Sequence, residues 1–477
     1  MPLQKIPPEL IEAICVCLDA LSIVRLSQVS RQFHSSLQNS SALQYKIQLE
    51  LAGLRDGQSA PGSAVRLDML KAYQAEWASF DWTQIVPTKV PMEGHLWELV
   101  GNVVGTYDPQ SGFAFTRIPS ITRHISLAQW SIPDVPFNPK DFSMDFSQDL
   151  LLVVEFNTSS KSMVVHLLFL QTGRPHPLAR TPSLSRKIDV PPMSCQIRIF
   201  GEHIGVMVED AYGEKFELLV WEWKSGNIKK HISQVEMTSF AFLDNRRLLV
   251  TALSTTLQPE LRVLDIDGDI SGMRDYFSFR LPALSRPLED IAEIDMMIQT
   301  EPAPSWPSGC NVDEPFTVSH TDRLYVVSLV REGTSRATFM LCFLHSTLVN
   351  LMDNSPDGGG SRVIRWDIWG PHGTRMLRVT QLPDPWVCFV YGQRCILQTG
   401  SARCQILDFN PLSASQGKMT DERTVDKRRR LFLRPVSTSA PFALNSVDVG
   451  PSAAVMLAED AVVSVSPAED EISIFSV

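Results

Sequence analysis

The chain has 477 residues, of which 44% are hydrophobic and 20% charged, the composition of a globular protein with about two or three folding units. The 43 Lys and Arg residues against 53 Asp and Glu give a net charge of −10. This charge argues against a protein that binds nucleic acid or an anionic membrane, because both partners require clustered positive charge. We expect no membrane span, because no apolar run approaches roughly 18 residues.

The N-terminus does not resemble a secretion signal, because Glu9, Glu12 and Asp19 interrupt its apolar residues. The chain has only eight cysteines, and in a protein that is not secreted these are expected to be reduced thiols. The sequence therefore predicts a protein of the cytoplasm, the nucleus or both.

Residues 1–52 are predicted to be helical. Pro7 and Pro8 suit the first turn of a helix, and Leu10, Ile14, Leu18 and Leu21 follow at steps of three and four, which places them on one helical face. A second set with this spacing is Ile23, Leu26, Val29 or Ser30, Phe33 and Leu37. A third helix is predicted to begin at Ser41, with Gln44 completing a capping box, and to end before Gly53.

Residues 53–82 are predicted to hold a linker and one more helix. The stretch from Leu54 to Ala64 is rich in small and polar residues, which is typical of a flexible linker. Leu67, Leu70, Tyr73 and Trp77 then return to helical spacing.

Residues 83–477 are predicted to be predominantly all-β. Short runs of Val, Ile, Phe, Leu and Thr, such as 150–156 and 324–331, alternate with turn residues. A strand followed by a glycine turn recurs at 166–173, 218–226 and 262–268, and the three terminal glycines are 53 and 42 residues apart. Propeller blades repeat every 40–50 residues or so, so we predict a β-propeller of six to eight blades, with a pair of β-sandwiches as the alternative.

The motif IPPELIEAICVCLDALSIVRLSQVSRQFHSSL near the N-terminus resembles the F-box, with an apolar-Pro-x-Glu-Leu opening, a Leu-Asp pair and a Val-Ser-Arg-x-Phe element. Together with residues 40–57, it is similar to F-box proteins of basidiomycete fungi. The chain is thus expected to be an α+β multidomain protein, a small helical F-box followed by a β-propeller. Independently of the resemblance, segments of about 40 residues rarely support a core of their own, so another surface must cover some of these apolar residues.

The resemblance implies that the helices dock into a Skp-type adaptor, and through it a cullin and a RING subunit, as the substrate receptor of an SCF-type ubiquitin ligase. The β domain would bind a protein client. The predicted adaptor contacts are Ile6, Pro7, Pro8, Leu10, Ile14, Leu18, Leu21, Ile23, Leu26, Val29 and Phe33. We expect Pro7, Leu10, Leu18 and Leu21 to face the adaptor, and Ile14, Leu26 and Phe33 to be internal.

The sequence predicts no catalytic residue, no cofactor and no metal site, since no nucleotide-binding, hydrolase or zinc motif is present. Lys427, Arg428, Arg429 and Arg430 form the one basic cluster, which is a nuclear import signal, a phosphate contact or a solvated loop. Two alternatives remain: a propeller enzyme, which convergent histidines and carboxylates in the channel would favour, and a scaffold that binds the adaptor without ubiquitylation.

Overall fold

The computed structural model describes residues 7–57, 59–79, 85–92, 94–157, 159–188, 194–209, 216–234, 237–268, 270, 275–286, 293–302, 314–319, 321–331, 337–354, 362–384, 387–410, 422–427, 431–468 and 470–477. Ile6, Arg428, Arg429 and Arg430 lie outside these residues, as does the side chain of Pro8.

In the described part of the chain, five helices precede the β domain: α1 (Pro8–Val16), α2 (Ala20–Ser27), α3 (Arg31–Asn39), α4 (Ser41–Leu51) and α5 (Ser63–Ser79). The Asp19 carboxylate caps α2 by accepting the Ser22 N–H, and the Ser30 hydroxyl caps α3 by accepting the Phe33 N–H. Gly53 ends α4 with a φ of +67°, which a glycine adopts without steric cost.

The single helical face predicted through Leu10, Ile14, Leu18 and Leu21 is wrong in one respect, because the helix stops at Val16 and a new one starts at Ala20. The second predicted set is divided in the same way, by Ser30. Asp and Ser accept backbone hydrogen bonds at helix N-termini, so both caps could have been recognised from the sequence. The helix predicted at Leu67, Leu70, Tyr73 and Trp77 is confirmed as α5.

The helix α4 is capped by Ser40, one residue before the predicted start, and the Ser40 hydroxyl accepts the Leu43 N–H at 3.2 Å. We expect Ser40→Ala to lower the free energy of unfolding by about 1 kcal/mol, because the buried N–H of Leu43 loses its partner. Ser41→Ala is the matched control and leaves stability unchanged within about 0.5 kcal/mol. Urea unfolding followed by circular dichroism measures both, and equal losses would place the cap at Ser41.

The β domain is a seven-bladed β-propeller, since seven antiparallel sheets each contain four consecutive hydrogen-bonded strands. The strands of each blade are given from the channel outward. Blade 1 consists of Leu96–Val100, Val103–Asp108, Gly112–Arg117 and Ala128–Ile132, and blade 2 of Asp141–Asp145, Leu150–Asn157, Ser162–Phe169 and Ser183–Lys187. Blade 3 consists of Ser194–Phe200, His203–Glu209, Phe216–Glu222 and Asn227–Gln234.

Blade 4 contains Phe240–Phe242, Arg247–Leu253, Pro259–Asp265 and Asp275–Arg280. Blade 5 contains Ile294–Gln299, Leu324–Arg331, Ala337–Leu344 and Thr374–Arg378. Blade 6 contains Val390–Tyr391, Arg394–Gln398, Arg403–Asp408 and Ala443–Asp448. Blade 7 contains Ala454–Leu457, Ala461–Val465, Glu471–Ser476 and Thr88–Pro91. Two further helices, α6 (His345–Asp353) and α7 (Trp366–Gly373), lie within blade 5, and the strand Arg362–Ile364 between them pairs in parallel with the edge of blade 4.

The propeller is closed by strands from two distant parts of the chain. Thr88–Pro91 forms the outer strand of blade 7 and pairs antiparallel with Glu471–Ser476. The predicted propeller is therefore confirmed, with seven blades. The repeat seen in the sequence has a structural basis, because 166–173, 218–226 and 262–268 each contain residues of the third strand of a blade.

The prediction of a flexible linker from Leu54 to Ala64 is partly wrong. Leu54–Asp56 is a strand that pairs antiparallel with Phe316–Val318, from the connection within blade 5. A further short hairpin joins Arg423–Val425 to Val436–Thr438. Among the helices that the structure describes, none combines the length and the apolar character that a bilayer span requires.

Candidate functional sites on the helices and in the channel

The first candidate site is an apolar surface on α1, α2 and the turn after α2. Leu10, Ile14, Val16, Leu21 and Val29 are between 48% and 70% exposed. Single exposed apolar residues are common, but a group of large ones on adjacent short helices is typical of an interaction surface. We call these five side chains the α1–α2 surface.

The opposite side of the same helices forms a small closed core. Ile11 and Cys15 of α1 pack with Ala20 and Ile23 of α2 and with Phe33 of α3. Ile11 and Cys15 are four positions apart, so they share one helical face, and Leu10 and Ile14 are directed away from it. This explains why the prediction that Ile14 is internal is wrong.

The predicted adaptor contacts divide into three groups. Pro7, Leu10, Ile14, Leu21 and Val29 are exposed, whereas Leu18 and Leu26 are half-buried against the helical core.

Ile23 and Phe33, in the third group, are only 1% and 7% exposed, so their side chains hold the helices together and present almost no surface. Val16, at 48% exposure, was not among the predicted contacts. The signal available in the sequence was a large apolar side chain within the first predicted helix, two positions after Ile14.

Two carboxylates fix the start of α2, one as its cap and one from α4. Asp19 accepts the Ser22 N–H at 2.8 Å, and this hydrogen bond is the main reason that the pKa of Asp19 lies below its ordinary value. Glu50 of α4 accepts the Ala20 N–H at 2.6 Å and pairs with Lys46 at 3.0 Å. The start of α2, and with it Leu21, is thereby fixed to the rest of the helical unit.

The helices α4 and α5 attach this unit to the propeller. The Tyr45 hydroxyl contacts the Pro315 carbonyl at 2.8 Å, and the Tyr73 hydroxyl donates to the Glu459 carbonyl at 2.9 Å. Leu70, Tyr73 and Trp77 are buried in the same apolar cluster as the strands of blades 6 and 7. The helical unit that carries the α1–α2 surface therefore packs against the propeller through α4 and α5.

A buried ionic cluster lies under this junction. The fully buried Arg123 guanidinium contacts Asp460, Glu459 at 3.3 Å and Glu314 at 3.4 Å, and Asn102 donates to Asp460 at 2.7 Å. Burial raises the pKa of Asp460 to about 7, although Arg123 acts in the opposite direction. The nearby carboxylates hold the pKa of Arg123 well above its ordinary value, against the effect of its own burial.

The helical unit contacts one of the two faces of the propeller. The turn that follows the innermost strand of blade 6 contacts Gly53, and the corresponding turn of blade 7 contacts Tyr73. The innermost strands of neighbouring blades contact each other, and around the channel of a propeller these strands run in the same direction, so the two turns share one face, which we call the helix face. The innermost strands begin at the opposite face, which we call the open face.

The second candidate site is a cavity of about 360 Å³ in the central channel. It is lined by His95, Lys140 and Ser194, which lie at the beginning of the innermost strands of blades 1, 2 and 3. These residues place its mouth at the open face. The cavity continues inward to Gln299, the last residue of the innermost strand of blade 5, and to Glu301, which follows that strand.

Three carboxylates, Glu98, Asp141 and Glu301, line the cavity beside Arg198. Asp141 accepts the Phe142 N–H at 2.8 Å and the Cys195 thiol at 3.2 Å, while Glu98 has no hydrogen bond or ion pair with any residue that the structure describes. Burial is the first cause of the raised pKa of both groups, to about 6 for Asp141 and well above the ordinary value for Glu98. Asp141 repels Glu98 and raises its pKa further.

None of these cavity residues was predicted. Each lies in or beside a short strand at the start of a blade, where a polar side chain interrupts apolar neighbours, as in LWELV at 96–100 and SCQIRIF at 194–200. A polar residue in such a strand indicates a channel-lining side chain only if the strand is known to be the innermost one of its blade. The sequence alone does not give the blade boundaries that identify these strands.

The cavity also contains two thiols, Cys195 and Cys388. Burial raises the pKa of both well above the ordinary value, which favours the neutral thiol over the nucleophilic thiolate. Within the described residues, no three or more His, Cys, Asp or Glu side chains are grouped so that they could hold a metal ion.

Residues 3–43 match the F-box domain family model, and the chain therefore carries an F-box domain followed by a seven-bladed propeller. F-box domains bind Skp-type adaptors, and propellers commonly carry protein interactions. The comparison with curated proteins finds no match in sequence.

Three solved structures show distant similarity to the chain. Hydrazine synthase of Kuenenia stuttgartiensis is 12% identical, with a TM-score of 0.39 over 82% of this chain and 97% of that one. The WD40 domain of SCAP from fission yeast is 9% identical, with a TM-score of 0.33 over 80% and 84%. Hsv2 of Kluyveromyces lactis is 12% identical, with a TM-score of 0.26 over 53% and 70%. Similarities at these TM-scores say nothing about the function of the chain.

Proposed function

We propose that this protein is the substrate receptor of an SCF-type ubiquitin ligase. Its α1–α2 surface binds a Skp-type adaptor, which in turn carries a cullin and a RING subunit, and its propeller binds a protein client. The observation that carries the proposal is the α1–α2 surface, five large apolar side chains left exposed beside a closed helical core within an F-box domain.

The proposed contacts are Pro7, Leu10, Ile14, Val16, Leu21 and Val29, with Leu18 and Leu26 at the edge of the surface. Ile6 and Pro8 stay predicted contacts. Ile23 and Phe33 act indirectly, because they fix the helices that carry the exposed side chains. An amphipathic helix unit in an apolar groove is a common mode of recognition.

The proposed mechanism is proximity and requires no catalytic group in this chain. The adaptor side and the open face lie on different parts of one packed unit, so a client bound at the propeller is held close to the ligase subunits. This raises the local concentration of client lysines near the conjugating enzyme. The seven described cysteines are all free, which supports a reducing compartment, the cytoplasm or the nucleus.

The test is affinity purification of the full chain from cells, followed by mass spectrometry, for the unaltered protein and for Leu21→Asp. We expect the adaptor, cullin and RING subunit to be lost together from Leu21→Asp, while clients are retained and accumulate in the cells. An adaptor retained equally by both proteins would overturn the proposal. An adaptor recovered without a cullin would instead identify a scaffold that does not support ubiquitylation.

One observation favours a second candidate, a propeller enzyme. Glu98, Asp141 and His95 converge on the channel cavity, and a carboxyl group with a pKa of about 6 is suited to general acid–base chemistry near neutral pH. A decisive sign of this function would be turnover of a small molecule that Asp141→Asn abolishes while adaptor binding is unchanged.

A further inference from the structure

The helix α4 lies between the small helical core and the propeller and packs against both. Leu43 and Ile47 belong to the core that α1, α2 and α3 form, whereas Tyr45 and Leu49 belong to the apolar cluster that includes blades 6 and 7. Residues four positions apart share one helical face, so α4 presents one apolar face to the helices and another to the blades. The matched F-box residues end at position 43, and most of α4 therefore lies beyond them.

Glu50, near the end of α4, forms a hydrogen bond with the start of α2. Its Oε2 atom accepts the Ala20 N–H at 2.6 Å. The first N–H groups of a helix have no partner within the helix, and Ala20 is only 5% exposed, so water has little access to this group. A buried donor that loses its partner is costly. The Glu50 carboxylate therefore supplies an acceptor that α2 does not contain.

The negative charge of Glu50 strengthens this contact. Hydrogen bonds to an ionised acceptor are roughly twice as strong as neutral ones, and a negative charge is favourable at a helix N-terminus. Lys46 pairs with Glu50 at 3.0 Å, but the two side chains are 30% and 38% exposed, and exposed ion pairs contribute little to stability. The hydrogen bond to Ala20 is thus the main contribution of Glu50.

The hydrogen bond holds the part of α2 that carries Leu21. Leu21 follows Ala20 directly, is 58% exposed and belongs to the α1–α2 surface. Binding weakens when only a fraction of the molecules is in the binding-competent conformation, and loss of the Glu50 carboxylate would lower that fraction for Leu21. Glu50 is not one of the side chains of the α1–α2 surface, so this effect is transmitted through α2.

We propose that Glu50 is a positioning residue for adaptor binding, which fixes the start of α2 so that Leu21 is presented in its binding position. This inference rests on the proposed function and adds to its adaptor side a residue beyond the matched F-box. Removal of the carboxylate slows association with the adaptor, because fewer molecules are in the competent conformation. Loss of a side chain that touches the adaptor acts mainly on dissociation instead.

The test uses the full chain and a purified Skp-type adaptor, with both rate constants measured by biolayer interferometry. We expect Glu50→Ala to weaken binding at least about fivefold, mainly through slower association. Glu50→Gln keeps an oxygen that can accept the Ala20 N–H, so it should recover most of the affinity. Asp68→Ala is the matched control, because Asp68 is an exposed carboxylate on α5, and it should bind as the unaltered chain does.

A double-mutant cycle shows whether Glu50 acts through Leu21. In a Leu21→Ala chain, Glu50→Ala should change the affinity by less than about twofold, whereas in a Leu10→Ala chain it should keep its full effect. Hydrogen–deuterium exchange of the free chain gives a second measurement. The amides of residues 20–24 should exchange at least about tenfold faster in Glu50→Ala, while unchanged exchange in the propeller strands shows that the variant is folded.

The inference is overturned by three results: Glu50→Ala binds the adaptor as Asp68→Ala does, its loss lies only in the dissociation rate, or Leu21→Ala leaves its effect unchanged. Any of these in a chain that binds the adaptor contradicts only the positioning role. An unaltered chain that does not bind the adaptor contradicts the proposed function and with it the effect on binding. The exchange of residues 20–24 then shows separately whether Glu50 holds the start of α2.

Discussion

Leu10→Asp is expected to weaken binding of a purified Skp-type adaptor by at least about 100-fold. Burying a leucine is worth about 1.5–3 kcal/mol, a charge placed in the interface adds a desolvation cost, and each 1.4 kcal/mol or so is tenfold in affinity. The helix itself should be unaffected, because Leu10 is 57% exposed and an acidic residue in the first turn is favourable.

Isothermal titration calorimetry with the full chain measures this loss. Val65→Asp is the matched control, because Val65 is a 50% exposed apolar residue on α5, away from the α1–α2 surface, and it should bind the adaptor as the unaltered chain does. Circular dichroism shows whether each variant is folded. Equal affinities for Leu10→Asp and Val65→Asp would mean that the adaptor, if it binds, uses another surface.

Arg123→Ala is expected to lower the free energy of unfolding by about 3–5 kcal/mol, because it leaves buried carboxylates without their cation. Asp460 and Glu459 are both enclosed at the junction between α5 and blade 7. The loss should be larger at pH 8 than at pH 6. The pKa of Asp460 is already raised to about 7 by burial, so below that value the folded state takes up a proton and avoids the unpaired charge.

Urea unfolding at the two pH values checks this expectation. The control is Arg365→Ala, since Arg365 and Asp367 form an exposed ion pair at 2.7 Å, and such pairs contribute little. Asp460→Asn added to Arg123→Ala should restore part of the stability. A loss no greater than that of Arg365→Ala would show that the cluster does not hold the helices to the propeller.

Local patterns in the sequence predicted much of the fold, because the strands in the middle of each blade are covered by neighbouring blades on both faces. Leu150 to Val154, for example, are all fully buried, and such strands appear as short apolar runs. Leu67, Leu70, Tyr73 and Trp77 likewise revealed α5 through their spacing.

Contacts between distant parts of the chain were not predictable from local patterns. Leu54–Asp56 looked like a linker because its partner strand, Phe316–Val318, lies more than 250 residues further along the chain. The channel cavity depends on the same kind of information, since Glu98, Asp141 and Arg198 converge only when three blades are placed side by side. The exposure of Ile14 required the exact path of α1 against α2, which the cap at Asp19 determines.

The most direct test is hydrogen–deuterium exchange of the full chain with and without the purified adaptor. The account predicts protection of backbone amides in residues 7–30, which carry the α1–α2 surface, and no change in α5 or in the strands that line the channel cavity. Protection confined to α5 or the propeller, or no protection at adaptor concentrations that saturate other F-box domains, would contradict it.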